Sequence, residues 1–420
     1  MRLLPQGMLD LGIHPEALKG LDSYKYGAVD KSPVTKYVMK PYWDWAATLF
    51  PMWMAPNLIT LLGFSAIIVS LLLTFLLFPD LEENSAFQWV YFFFAAALHL
   101  YQTLDNVDGR QARRTGSSSP LGELFDHGVD ALNCSFGAIV QAAAMGLGFT
   151  WRTVALLLLT VGPFYLSTWE EYHTGVLYLG YINGPTEGNI MATLLIALSG
   201  VFGTAIWTLP ISQFLPGGWW DSKNAIGQFW AGVSNAFEYG DPEAGPAFTD
   251  VMFLFLFTLI IVIQLPLSVS NIRRHYAAKG RSSAGALLGI IPMLVYFVLV
   301  FSIAFANDQR IIVNNAVSFV LMAGIAFGRH ASKITQAYVT RQPFPWATVQ
   351  YIPLLVLFVN TFSMQLFGLE PFWDATTESQ MIVLFAVLHV LLYVYSAVRV
   401  VNAFCGYLGI QALRIRPKND

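Results

Sequence analysis

Long uninterrupted apolar stretches recur along this chain, and they leave few folds open to it. Ten such stretches are separated by mostly short polar connections. A helix needs about 20 apolar residues to cross the hydrocarbon core of a bilayer, and most of the stretches reach that length. Only 12% of the 420 residues are charged, roughly half the share that is usual in soluble domains. The sequence therefore predicts an all-α, polytopic integral membrane protein.

The predicted membrane spans cover about half of the chain. Because lipid offers no water to unpaired backbone groups, helices are the expected spanning element, and the stretches lack the alternation of barrel strands. The predicted spans are residues 57–78, 86–104, 128–149, 151–172, 186–206, 250–270, 284–306, 311–328, 346–367 and 381–404. The turn-rich connection 207–249 is expected to be the longest loop.

The distribution of basic residues predicts the orientation of the chain. If the N-terminus is cytosolic, all of the 23 lysines and arginines except Arg152, Lys223 and Arg310 fall on the cytosolic side. Cytosolic connections carry an excess of positive charge, so both termini are expected in the cytosol. Residues 104–130, which join the second and third spans, then also face the cytosol.

Two further features exclude some classes of protein or partner. The net charge is −3, which does not favour a nucleic-acid partner. Cys134 and Cys405 both lie in apolar stretches, so no disulfide framework is expected. Residues 37–54 mix aromatic, basic and apolar positions over too short a length to cross the membrane. They predict either an interfacial helix on the cytosolic leaflet or an aromatic belt that anchors the first span.

Four aspartates lie between the second and third spans. Asp105 and Asp108 are three residues apart and Asp126 and Asp130 are four apart, so each pair shares one face of a helix. The intervening "TGSSSPLG" is a break that would bring the two pairs together. Close negative charges at the membrane boundary repel each other unless cations neutralise them. Carboxylate oxygens in this number suit Mg²⁺ or Mn²⁺.

Small and basic side chains follow the first aspartate pair. Gly109 and Ala112 leave room on the helix face for a phosphate or nucleotide, and Arg113 can pair with phosphate oxygens. Mg²⁺ commonly bridges carboxylates to the phosphates of a substrate. The residues alone therefore predict a metal-assisted site for a phosphorylated substrate at the membrane surface.

Three functions compete for this pattern. They are a phosphotransferase, an intramembrane Mg²⁺-dependent prenyltransferase, and, from a different class, a cation-coupled transporter. Prenyltransferases carry their carboxylates in two distant motifs, whereas these four aspartates lie within 26 residues. Transporters more often show broken helices or an inverted repeat, and the sequence shows no paired halves.

The complete pattern D-x2-D-G-x2-A-R-x8-G-x3-D-x3-D resembles the signature of the CDP-alcohol phosphotransferase family at every fixed position. "FPMWMAPN" (50–57) and "WEEYHTGVLYLGYINGPTEG" (169–188) are similar to the eukaryotic choline and ethanolamine phosphotransferases. The resemblance implies transfer of phosphocholine or phosphoethanolamine from CDP-choline or CDP-ethanolamine to diacylglycerol. The products would be phosphatidylcholine or phosphatidylethanolamine and CMP.

The resemblance also implies roles for individual residues. Asp105, Asp108 and Asp126 would ligate a pair of divalent cations, and Asp130 would touch one of them and act as the general base. The nucleotide and its phosphates would lie near Asn57, Thr60, Gly109, Ala112, Arg113 and Gly122. His173 and Glu187 would orient the headgroup or the acceptor hydroxyl. Aromatic residues around 169–181 predict either a choline cage or an interfacial belt.

The same resemblance implies an organisation for the whole chain. Residues 1–56 would form a cytosolic segment with the interfacial helix, 57–270 a catalytic core of six helices, and 271–420 four further spans and a short cytosolic tail. The enzyme would be a homodimer in the endoplasmic reticulum or Golgi membrane, with its active site facing the cytosol. The choice between choline and ethanolamine stays open.

Overall fold

A computed structural model of the protein describes residues 11–213, 224–236, 245–306 and 310–415. Helices dominate these residues, and the strands found among them are β1 (Ala28–Asp30) and β2 (Leu177–Leu179), paired in parallel. Residues 1–10 of the predicted N-terminal segment lie outside the described residues. So do four basic residues used to predict the orientation: Arg2, Lys223, Arg416 and Lys418.

The longer helices follow the predicted apolar stretches. They are α1 (Lys40–Thr48), α2 (Pro56–Leu77), α3 (Val90–Thr115), α4 (Pro120–Ala144), α5 (Trp151–Thr174), α6 (Asn189–Phe202), α7 (Ala225–Ala236), α8 (Phe248–Ala278), α9 (Ala284–Phe305), α10 (Arg310–Val339), α11 (Tyr351–Thr361) and α12 (Ala375–Leu408). Shorter helical turns occupy Pro15–Leu18, Lys19–Ser23, Thr35–Met39, Ser85–Phe87, Gly184–Gly188, Ala205–Trp207, Ile211–Gln213 and Ser363–Phe367.

The structure confirms the all-α class and the polytopic character. Each predicted span coincides with a helix. Within the described residues, five helices are long and apolar enough to cross a bilayer, namely α2, α8, α9, α12 and Ile311–Val339 of α10. The total number of crossings stays a prediction, because α3, α4 and α5, which carry charged residues, and the short helices α6 and α11 are not among those five.

Helix ends differ from the predicted ends where charge begins. The second span was predicted to stop at residue 104, but α3 continues to Thr115, and α4 begins at Pro120 rather than at 128. Hydropathy predicts only the part of a helix that lies in the hydrocarbon. A helix can continue into water until a stop signal or capping residue ends it. The four aspartates consequently lie on rigid helix and not in a loop.

Close helix contacts fix α3 and α4 within the core. Gly63 of α2 leaves a gap in which an added Cβ would lie 3.1 Å from the Cβ of Leu104. Gly324 of α10 is closer still to α4, since its Cβ would lie 2.4 Å from that of Ser135. Helix α10 therefore packs directly on the helix that carries Asp126 and Asp130.

This packing bears on the proposed division of the chain. The boundary between residues 270 and 271 falls inside α8, and α10, one of the four later helices, shares a hydrophobic core with α4 and α5. The division into a catalytic core and an appended part stays a prediction about roles. It does not correspond to two separately packed bodies.

The segment before the first long helix contains the predicted short helix. Trp43 is buried, while Trp45, on the other side of α1, is 58% exposed. Arg110 of α3 donates from Nε to Asp44 Oδ1 at 2.6 Å and lies over the Trp43 ring. Helix α1 is thus attached to α3, while the exposed ring of Trp45 leaves aromatic surface free, as an interfacial helix requires.

The predicted loop 207–249 contains structure that the sequence interpretation did not anticipate. Its described part includes α7 (Ala225–Ala236) and a bridge between Pro210 and Ala247. Residues 214–223 and 237–244 of this segment lie outside the described residues.

A strap formed by residues 11–35 crosses the ends of several helices. Leu18 and Leu21 pack in one cluster with Tyr338 of α10 and Phe404 of α12. Further along, β1 pairs with β2, which directly follows α5, in the register Ala28↔Leu177. The Tyr338 hydroxyl donates to the carbonyls of residues 25 and 175, so the strap and the end of α5 are tied together.

Candidate active site

A tight helical hairpin places the aspartates. Helix α3 ends at Thr115, and the following Gly116 has a φ of 65°, a left-handed conformation that glycine adopts without steric penalty. The Ser117 N–H returns to the Ala112 carbonyl at 2.9 Å. Ser119 then caps α4 by accepting from the Gly122 N–H, and Pro120 occupies the first turn. The predicted break is therefore confirmed, and it is only a few residues long.

Three aspartates meet across this hairpin. Asp105 of α3 and Asp126 and Asp130 of α4 each offer a carboxylate oxygen, and these atoms all lie within 4.8 Å of one another. Within the part of the chain that is described, Asp105 Oδ1 and Asp126 Oδ1 are buried and have no hydrogen-bond partner. Such oxygens are costly to bury unless a cation binds them, so the donor set fits a hard divalent metal.

Asp130 has a hydrogen bond that the sequence interpretation missed. The Tyr101 hydroxyl donates to Asp130 Oδ1 at 2.5 Å. Tyr101 lies one turn before Asp105 on α3 and is fully buried. This spacing could have indicated the contact, because residues four apart share a helix face.

Asp108 lies beside the group of three and has a different partner. Its Oδ2 accepts a short hydrogen bond from the hydroxyl of Thr60 on α2, and its side chain is buried. The structure thus brings Thr60 next to α3, as expected. Its hydroxyl contacts the Asp108 carboxylate and is not left open toward a ligand.

The remaining motif residues form a sparsely filled surface near the aspartates. A Cβ added to Gly109 would meet only Arg113 Nη1, at 3.6 Å, and one added to Gly122 would lie 3.8 Å from Asn57 Oδ1. Asn57 Nδ2 donates to the Ala412 carbonyl at 3.0 Å. With Ala112 on the same stretch of α3, these residues leave space for a ligand next to the Arg113 guanidinium.

Glu187 is held by the strap. Its carboxylate accepts a short hydrogen bond from Ser32 Oγ and a second from the Asn183 N–H at 2.9 Å. The turn that carries Glu187 is also bound to α3, because Gln102 donates to the carbonyls of residues 185 and 186. Glu187 is therefore linked through Gln102 to the part of α3 that carries Asp105. Both of its carboxylate oxygens already accept hydrogen bonds.

His173 lies in an aromatic environment. Its Nδ1 is 3.2 Å from the Tyr276 hydroxyl, and its ring stacks on Phe344 with centroids 5.8 Å apart. The contacts described for this residue are with Trp169 and Tyr172 of its own helix, with α8 and with the segment after α10, and none is with an aspartate. Its predicted role at the headgroup or acceptor hydroxyl stays a prediction.

The aromatic residues considered for a choline cage divide into two places. Trp169 is buried and donates to the Ala286 carbonyl at 3.0 Å, and Tyr172 donates to the Gln342 carbonyl at 2.8 Å. Tyr178 and Tyr181 both lie against the ammonium of Lys31, at 5.3 and 6.0 Å. The ammonium group of Lys31 therefore already contacts the rings of Tyr178 and Tyr181.

A buried acidic pair next to the aspartates was not singled out from the sequence. Glu123 lies one turn before Asp126 on α4, and Glu171 lies near the end of α5. His127 Nδ1 is 3.6 Å from Glu171 Oε2. "GELFDHGVD" contains two of these residues, but their meeting with α5 depends on tertiary packing and has no local signal.

Comparison with known proteins agrees with the aspartate geometry. A family model described as CDP-alcohol phosphatidyltransferase matches residues 53–215, which include the complete aspartate pattern. Cholinephosphotransferase 1 of Saccharomyces cerevisiae is 33% identical over 83% of this chain and 85% of its own length. Choline/ethanolaminephosphotransferase 1 of Arabidopsis thaliana is 33% identical over 97% and 99%, and ethanolaminephosphotransferase 1 of Homo sapiens is 28% identical over 97% and 96%. The chain belongs to the CDP-alcohol phosphatidyltransferase family.

Proposed function

We propose that this protein transfers phosphocholine or phosphoethanolamine from the CDP-alcohol to diacylglycerol and releases CMP. The observation that carries the proposal is the convergence of three aspartate oxygens at the end of a helical hairpin. The names of the relatives and the membrane helices support the substrate class. Diacylglycerol resides in the bilayer and the CDP-alcohol in the cytosol, so a site at this boundary can meet both.

The metal site would be formed by Asp105, Asp126 and Asp130, with Asp108 held beside them by Thr60. We propose a pair of Mg²⁺ or Mn²⁺ ions, which would neutralise the diphosphate and the charge on departing CMP. The chain's own contribution is positioning, because the four carboxylates lie on two helices joined by a short capped turn.

The nucleotide end of the substrate would lie along the open surface of Gly109, Ala112 and Arg113, opposite Asn57 and Gly122. The absence of side-chain bulk at the two glycines admits a phosphate close to the backbone. Arg113 would pair with phosphate oxygens. Replacing either glycine with a larger residue would fill the same space.

The reaction would proceed by in-line attack of the diacylglycerol hydroxyl on the β-phosphate. Asp130 would accept the hydroxyl proton, while the bond between the β-phosphorus and the bridging oxygen breaks and CMP leaves. The hydrogen bond from Tyr101 would hold the Asp130 carboxylate in one orientation. The homodimer, the location in the endoplasmic reticulum or Golgi, and the cytosolic orientation stay predictions.

One assay tests the proposed function against its rivals. Purified protein in detergent would receive labelled CDP-choline or CDP-ethanolamine, diacylglycerol and Mg²⁺. We expect labelled phospholipid and CMP in equal amounts, and no product in the presence of EDTA. Product formation only with a prenyl diphosphate donor would instead support the prenyltransferase. Metal-driven uptake without CMP release, measured after reconstitution of the protein into vesicles, would support the transporter.

Thr60→Val is expected to lower activity about tenfold. The change keeps the shape of the side chain but removes the hydroxyl that holds buried Asp108, leaving a carboxylate oxygen without its donor. The loss should appear mainly as a higher Mg²⁺ concentration for half-maximal rate. Thr74→Val is the matched control, since Thr74 is a buried threonine on α2 whose hydroxyl, among the described residues, bonds to the Ser70 carbonyl of the same helix. Equal metal dependence in both variants would contradict the role of Thr60.

Glu187→Gln is expected to lower turnover by about tenfold or more, on the usual scale for a catalytic or positioning carboxylate. Ser32→Ala distinguishes two explanations, because it removes the donor from the strap and leaves the carboxylate in place. Similar losses in the two variants would mean that Glu187 acts by holding the strap. Near-native turnover of Glu187→Gln would remove Glu187 from the site.

A further inference from the structure

Glu123 and Glu171, the acidic pair beside the aspartates, have buried carboxylate oxygens that no described hydrogen-bond donor contacts. Glu123, His127 and Glu171 are each more than nine-tenths buried. Among the described residues, no hydrogen-bond donor meets either oxygen of Glu123 or Glu171 Oε1. Their contacts are between the two carboxylates and from His127 Nδ1 to Glu171 Oε2 at 3.6 Å. Two carboxylates that face each other in a buried place are unfavourable unless a cation or a shared proton compensates them.

The geometry does not favour another metal ion at this place. Within the described residues, only Asp105, Asp126 and Asp130 bring three ligand atoms within 4.8 Å of one another. The ligand atoms of the two glutamates and His127 do not all come within this distance of one another. They therefore suit a larger cation, which side chains can contact from several directions. An organic ammonium, which is bound by carboxylates and aromatic faces, has this character.

An aromatic ring is available at the same place. Tyr26 belongs to the strap and is 61% exposed. The carbonyls of residues 25 and 27 on either side of it accept from the Tyr338 hydroxyl and from the Leu177 N–H just after α5. Surrounding protein raises the pKa of Tyr26, and the negative charges of Asp126 and Glu171 raise it further. The strap therefore places Tyr26 near the end of α5, the helix that carries Glu171.

The distance along α4 matches the dimensions of the donor substrate. Three residues of helix rise by about 4.5 Å, so Glu123 lies roughly that far along the axis from Asp126. In a CDP-amino-alcohol, a two-carbon chain separates the β-phosphate oxygen from the nitrogen, which is a comparable length. A β-phosphate held at the aspartates would thus bring its amine within reach of the acidic pair.

We infer that Glu123 and Glu171, with Tyr26 beside them, bind the cationic amine end of the CDP-alcohol. This inference rests on the proposed function and adds the residues that select the headgroup. The buried carboxylates would be compensated by the substrate's positive charge when it binds. Donors without a cationic end would gain nothing from the pair.

The test compares CDP-choline with CDP-3,3-dimethylbutanol, in which carbon replaces the quaternary nitrogen and the charge is lost. We expect the wild-type enzyme to prefer CDP-choline strongly in kcat/KM. Glu171→Gln and Glu123→Gln should each raise KM for CDP-choline by about tenfold or more, as for a buried charge that loses its partner. Their KM for the neutral donor should stay the same, because that donor makes no charge contact.

Glu170→Gln is the matched control. Glu170 is the buried neighbour of Glu171, but its carboxylate accepts from Asn271 Nδ2 at 2.7 Å. We expect Glu170→Gln to keep the wild-type preference for the charged donor. Turnover of the neutral donor and inhibition by CMP report whether each variant retains a folded nucleotide site.

Other outcomes separate the two proposals. Wild-type protein that uses neither of these donors and also fails with CDP-ethanolamine would overturn the proposed function. Wild-type protein that uses both donors equally, or glutamine variants that lose both in the same proportion, would overturn only the cation site. In the second case the acidic pair would serve the fold or the chemistry and not the headgroup.

Discussion

Replacing Asp126 with asparagine is expected to lower kcat/KM for CDP-choline by roughly 10³-fold or more, since metal stabilisation of the transition state supplies several kcal/mol. Asp126 contributes an oxygen to the group within 4.8 Å, and its Oδ1 has no protein partner within the described residues. An amide is a poorer ligand for a hard cation than a carboxylate. The loss would be measured as initial rates over a range of Mg²⁺ concentrations.

The same variant should be more stable than the wild type when no metal is present. Removing one of several close carboxylates relieves repulsion that the metal-free protein otherwise retains, so the thermal midpoint in EDTA should rise. Asp80→Asn is the control, because Asp80 is exposed in the connection before α3. A lower midpoint together with lost activity would indicate damaged folding and would contradict this explanation.

Asp130→Asn is expected to lower kcat by about 10²- to 10⁴-fold, the range for loss of a general base. The asparagine can still accept the hydrogen bond from Tyr101 but cannot take a proton from the diacylglycerol hydroxyl. Single-turnover measurements with preloaded CDP-choline would place the loss in the chemical step.

Tyr101→Phe provides the comparison for that result. It keeps the Asp130 carboxylate and removes only its hydrogen bond, so a loss of about tenfold is expected. Retained activity in Asp130→Asn would rule out proton abstraction by Asp130. A loss in Tyr101→Phe as large as that in Asp130→Asn would mean that orientation, and not basicity, dominates.

The sequence predicted the helices and the aspartate hairpin well because both have local signals. Apolar stretches mark the hydrocarbon, and spacings of three and four residues place Asp105, Asp126 and Asp130 on facing surfaces. The short break was identifiable from Gly116 and Pro120. The ends of α3 and α4 were not predicted, because hydropathy says nothing about helix that continues into water.

Contacts between distant segments could not be predicted in this way. Ser32 and Glu187 are 155 residues apart in sequence, and their hydrogen bond depends on the strap meeting the turn after β2. Glu171 approaches Glu123 only because α5 packs beside α4. Such pairs leave no periodicity or composition in a single sequence, so the structure alone identifies the acidic pair and the partner of Glu187.

Manganese binding by the purified protein tests the central claim most directly. Mn²⁺ would be titrated into the protein in detergent and followed by electron paramagnetic resonance, with and without CDP-choline. We predict saturable binding that CDP-choline tightens, and its loss or severe weakening in Asp105→Asn. Equal binding by the wild type and Asp105→Asn, or binding that CDP-choline does not affect, would contradict a metal site that holds the diphosphate.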